Sequence, residues 1–69
     1  MTEPDNERTD SAGELAEEVR RTCVAAALQA YEDAGMQGLC PEGRWEAAIS
    51  AMRAVDVRRL IREHDRAER

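Results

Sequence analysis

Between Ala30 and Asp56 the chain reads AYEDAGMQGLCPEGRWEAAISAMRAVD, a helix stop followed at once by a helix start, and no other segment constrains the fold as tightly. Gly35 can take the left-handed conformation that closes a helix. Met36-Gln37-Gly38-Leu39 is then a short connection, in which Met36 and Leu39 can fold back over the end of a hairpin. Cys40-Pro41-Glu42 opens the next helix: Pro suits the first helical position, where its missing N–H would go unpaired anyway, and Glu42 suits the positive end of the helix dipole. Cys40 therefore falls at or beside the N-cap. The segment is predicted to be the tight corner of a helical hairpin.

Upstream, Ser11 followed by Glu14 has the capping-box spacing, which predicts a helix from about residue 12 to residue 34. At 100° per residue, Leu15, Val19, Cys23, Ala26, Ala30 and Ala34 share one face and form the expected core stripe. Val24, Ala27, Leu28 and Tyr31 widen the apolar arc beyond half the circumference, more than one hairpin partner can cover. Val24, Leu28 and Tyr31 are thus the candidate dimer face, and the Ala run at 25–27 permits close helix approach. Residues 1–10, MTEPDNERTD, have no apolar side chain after Met1 other than Pro4 and are expected to be a disordered acidic tail, with residues 11–69 as one small helical domain.

Downstream, a helix over about 41–55 is expected to turn Trp45, Ala48, Ile49 and Met52 inward, with Trp45 as the largest apolar block available to the core. Continued unbroken, that helix would rotate its apolar face by more than roughly 90° before Val57, Leu60 and Ile61. Asp56 sits at the change of phase and is a good N-cap, which predicts a break there and a short third helix over about 57–65. The alternative is one long helix that exposes Val57, Leu60, Ile61 and His64. Either way the fold class is all-α.

With 69 residues, such a core supplies only about 3–5 kcal/mol, so small chains lean on disulfides, metals or oligomerisation. Two Cys are too few for a disulfide scaffold or a four-ligand zinc site, which leaves association: a homodimer, a protein partner, or both. No segment approaches a membrane span, and Met1 opens a polar run without a leader pattern, so cytoplasmic residence without membrane association is expected. The formal charge is −5. It is unevenly spread, with residues 1–46 at −7 and residues 47–69 at +2. An acidic chain is a poor nonspecific nucleic-acid binder. The opposing feature is the C-terminal run Arg58, Arg59, Arg62, Arg66 and Arg69, interleaved by Glu63, Asp65 and Glu68.

Few residues offer chemistry. Cys40 is the candidate reactive thiol, because unpaired amides at a helix N-terminus stabilise a thiolate and Arg44 could add positive charge. Cys23 lies on the core stripe and reads as packing. His64, the only His, reads as a surface residue, and its spacing to Cys40 indicates no metal site. Glu17/Glu18 and Glu32/Asp33 are neighbours that point to different sides of a helix, and Gly35, Gly38 and Gly43 follow no strand, so neither paired-carboxylate chemistry nor a phosphate loop is indicated. Tyr31, Arg44, Trp45, Glu46 and Arg53 form the candidate interaction patch, Tyr, Trp and Arg being frequent interface anchors. No catalytic residue, cofactor or metal is expected.

The core segment resembles a set of short bacterial proteins that carry the pattern AYEDAG, GLC, EGRWE and a closing A-x-R-x-hydrophobic-Asp, often labelled acetyltransferases. The resemblance covers about residues 20–57 and rests on Tyr31, Glu32, Asp33, Gly35, Gly38, Leu39, Cys40, Glu42, Gly43, Trp45, Glu46, Arg53 and Asp56. It carries over no site. An acyl-CoA-dependent transferase uses a sheet to bind its cofactor in a domain well over twice this length, and no alternating strand pattern occurs here. The reading the residues favour is a small non-enzymatic accessory or adaptor protein that acts through protein contacts. Its competitors are a thiol-dependent redox or carrier protein centred on Cys40 and a nucleic-acid binder using the Arg-rich C-terminal helix.

Overall fold

The computed structural model describes residues 7–68, and they form three helices: α1 (Glu7–Met36), α2 (Pro41–Arg53) and α3 (Val57–Ala67). The chain is all-α, a helical hairpin of α1 and α2 followed by a short third helix. Of the expected acidic tail, residues 1–6 lie outside the described residues, and residues 7–10 belong to α1. Ser11 is therefore interior to the helix rather than its N-cap. No Gly or Pro interrupts residues 7–12, so the ladder extends past the local capping signal, and the Ser11 hydroxyl turns to His64 on α3, 2.9 Å away.

The hairpin corner is a Schellman turn. The Leu39 amide donates to the Ala34 carbonyl and the Gly38 amide to the Gly35 carbonyl, each at 3.0 Å. These are the two bonds that satisfy a helix's last carbonyls when the next residue turns left-handed. That residue is Gly38, with φ 89°, and not Gly35, which stays in the last turn of α1. Sequence offers two glycines three apart, and the last turn of α1 continues to Met36 before the chain reverses. Leu39 ends this turn and also precedes the next N-cap, so one residue serves both helices.

Cys40 is the N-cap of α2, extended at φ −70° and ψ 166°, with Pro41 as the first helical residue. Its carbonyl accepts the Arg44 amide at 2.9 Å, while its thiol makes no capping bond. Arg44 closes the corner from its side chain as well: Nε donates to the Leu39 carbonyl at 2.9 Å, and the guanidinium lies along Gly35. Gly43 leaves room for Leu39, since a Cβ there would come within 3.2 Å of the Leu39 side chain.

The break at Asp56 is present. α2 closes through Ala54, whose amide reaches the Ser50 carbonyl, and the Asp56 carboxylate caps α3 by accepting the Arg59 amide at 3.0 Å. Among the described residues α2 and α3 each pack on α1 and make no contact with one another. α2 runs beside the C-terminal half of α1, and α3 beside the N-terminal half, where Leu60 approaches Thr22 and His64 meets Ser11. The predicted stripe of α1 faces these neighbours: Leu15, Val19, Cys23, Ala26 and Ala30 are half-buried and Ala34 is buried.

The result is a slab rather than a ball. Its Cα dimensions are 48 × 29 × 14 Å with a radius of gyration of 16.0 Å, against about 11 Å expected for a compact chain of this length. Only Ala34 and Ala48 are buried among the described residues.

Two glycine substitutions separate the two possible turn positions. Gly38→Ala is expected to lower the unfolding free energy by about 1–2 kcal/mol, because the left-handed conformation strains any side chain. Gly35→Ala is expected to be neutral or stabilising by up to about 1 kcal/mol, as Ala is the better helix former and its Cβ would meet Arg44 at ordinary contact distance, 3.4 Å. Urea unfolding followed by circular dichroism checks both; equal losses at the two positions would contradict the turn as described.

Candidate functional site

The main surface feature follows from how closely α1 and α2 approach. Ala48, 3% exposed, sits at their contact, and alanine leaves no space for a large neighbour between the helices. Trp45 is accordingly displaced. It does not enter the core as its sequence position suggests but stands 63% exposed on the rim. Ile49 and Met52, also expected inward, are more than one-third exposed. On a helix wheel Trp45 lies about 60° from Ala48, far enough to leave the contact once that contact is narrowed to alanine.

Trp45 and Met52 help to wall one side of an open groove of about 460 Å³. α2 contributes Trp45, Ala48 and Met52, and α1 contributes Val24, Ala27, Leu28 and Tyr31. Every one of these residues is apolar or aromatic, and the outward ones are well exposed: Val24 at 50%, Leu28 at 61% and Tyr31 at 38%. The candidate dimer face Val24, Leu28 and Tyr31 thus lies wholly within the groove.

The candidate patch of Tyr31, Arg44, Trp45, Glu46 and Arg53 is brought together only in part. Tyr31 borders a second depression with Glu32, Gly35, Met36 and Arg44, and Trp45 borders a third with Glu46, Ile49, Ser50 and Arg53. Tyr31 and Trp45 each face the main groove as well, so the polar members flank an apolar centre. Arg44 also has a structural task at the corner, which sequence left without an explanation.

Cys40 is exposed and Cys23 half-buried, and both thiols are free. The Arg44 Nε is committed to the Leu39 carbonyl rather than to the Cys40 thiol. On α3, Arg59 pairs with Glu63 at 3.1 Å, so part of its positive charge is locally matched.

His64 departs from its expected surface role. Its side chain is only 11% exposed, with Nε2 2.9 Å from the Ser11 hydroxyl and 3.8 Å from the Glu68 carboxylate. The signal was a four-residue repeat on each helix, Leu60 with His64 and Ser11 with Leu15, which presents both pairs inward. A Ser–His contact invites comparison with a nucleophile and its base, but the parts do not fit. Ser11 and Glu68 approach the same ring nitrogen, so the carboxylate does not orient the ring from Nδ1, and Ser11 sits inside a helix whose amides are already engaged. The contact ties α3 to α1.

No group of three or more His, Cys, Asp or Glu side chains gathers as a metal site among the described residues, and no described helix is long and apolar enough to cross a membrane. Comparison of the chain with protein-family models, curated proteins and solved structures gives no match.

The two thiols should differ in reactivity. A disulfide reagent at neutral pH is expected to modify Cys40 at least tenfold faster than Cys23, on accessibility, leaving the helical circular dichroism unchanged. Equal rates would show that α1 opens as readily as the corner.

Proposed function

We propose that the protein is a small non-enzymatic interaction module, an accessory or adaptor that works by presenting the α1–α2 groove to another protein surface. The observation that supports this reading is the continuous apolar exposure of Val24, Leu28, Tyr31 and Trp45 along one groove of a chain in which only Ala34 and Ala48 are buried among the described residues. Contiguous apolar surface of this kind, rimmed by polar residues, marks interaction sites on small proteins. Tyr31 and Trp45 have the chemistry of interface anchors, large and rigid with a polar tip. The thiol reading has the exposure of Cys40 in its favour, while the Arg44 Nε is committed to the Leu39 carbonyl. The nucleic-acid reading has the arginines of α3 against a net charge of −5.

Because Leu28 and Trp45 are exposed, replacing them should spare the fold. Leu28→Glu is expected to change the unfolding free energy of the isolated chain by no more than about 0.5 kcal/mol. In native cell extract the tagged protein should elute as a complex, and Leu28→Glu or Trp45→Glu should return it to the size of the free chain, whereas Arg62→Glu on α3 should not. Elution of the unsubstituted protein as a free chain at its natural abundance would contradict the reading.

A further inference from the structure

The exposed face of α1 carries a seam that reads alike in both directions. Glu17, Arg21, Val24, Leu28, Tyr31 and Gly35 follow one another at steps of four, three, four, three and four residues, the spacing by which one helix meets another along a coiled-coil contact. All but the half-buried Gly35 are exposed. The seam is symmetric about the level of Ala26. An antiparallel copy of α1 laid on it brings Val24 beside Leu28 of the second copy and Arg21 beside Tyr31 of the second copy.

Charge follows the same symmetry. Arg21 and Glu32 are both exposed, and neither makes an ion pair among the described residues. They stand eleven residues apart, about 16 Å along the helix, too far to meet within one chain. In the antiparallel arrangement Arg21 of each copy comes beside Glu32 of the other, giving two equivalent pairs at the ends of an apolar centre. Ala25 and Ala27 flank that centre and allow the two helices to approach closely.

Area agrees with this occupant. The accessible surface is 5505 Å², on the order of 1,000 Å² above that of a compact monomer of this mass, and a standard interface removes about 800 Å² from each partner.

We infer that the groove is occupied by a second copy of this chain, docked antiparallel through the α1 seam about a two-fold axis at Ala26, with Arg21 of each copy paired to Glu32 of the other. This rests on the groove being an interaction surface and adds its occupant and register.

Charge reversal tests it by sedimentation equilibrium on the purified full chain at low salt, with helix content followed in parallel. Arg21→Glu and Glu32→Arg should each weaken self-association by roughly tenfold, since each converts two attractive pairs into repulsive ones. The double variant should recover to within about threefold of the unsubstituted protein, because the pairs are restored with reversed sign. A chain that stays monomeric into the high micromolar range overturns the second copy as occupant. A dimer whose double variant is as weak as either single one overturns the register and its Arg21–Glu32 pairs. In the monomeric case a larger complex that Leu28→Glu disrupts in extract would leave the interaction reading standing with a different partner.

Discussion

Everything in this molecule depends on the contact of α1 with α2 through alanine. Small side chains at Ala34 and Ala48 let the two backbones come close, and the Gly38 turn with the Arg44 bond to the Leu39 carbonyl holds them there. The same closeness leaves no volume between the helices for Trp45, while Leu28 lies off the core stripe on the exposed side of α1. A hairpin built on alanine therefore pushes its large apolar residues to the rim, and the tiny interior and the open groove have one cause. Burial of a methyl group is worth about 0.8 kcal/mol, so such a contact fixes geometry better than it supplies stability.

α1 serves as the spine because it is the only helix both others touch. α3 has a capped start at Asp56 and one polar tie at Ser11–His64, while Val57 and Ile61 remain more than 40% exposed on its flank. It gains nothing from α2. Local opening of α3 should accordingly leave the hairpin and its groove intact, as expected of units with few shared contacts.

The helix number, the break at Asp56, the start at Pro41 and the core stripe of α1 were legible in the sequence, because each follows from local backbone chemistry or from periodicity along one helix. The start of α1 was not, since a capping box at Ser11 and Glu14 competes with an uninterrupted run that begins earlier, and the Ser11 hydroxyl meets His64, far away in sequence. The choice between Gly35 and Gly38 turned on one further turn of helix. Trp45 was misplaced for a tertiary reason: periodicity put it near the inward face, but the closeness of the alanine contact decided which of two adjacent positions was buried. Arg44 became explicable only when the corner brought the Leu39 carbonyl and the flat surface of Gly35 to it. For the site, the face of Val24, Leu28 and Tyr31 could be read from the width of the apolar arc, while the part played by Trp45 and Met52 required the packing of α2.

The central claim is that the α1–α2 groove is a covered surface when the protein is at work, and the single Trp of the chain stands in it. Trp45 fluorescence across a wide dilution series of the purified protein reads that coverage directly. The account predicts a shift of emission to shorter wavelength and protection from an aqueous quencher as concentration rises, with both effects lost in Leu28→Glu. An indole that emits as solvent-exposed and is quenched equally at every concentration, in a chain whose helices remain intact, would contradict it.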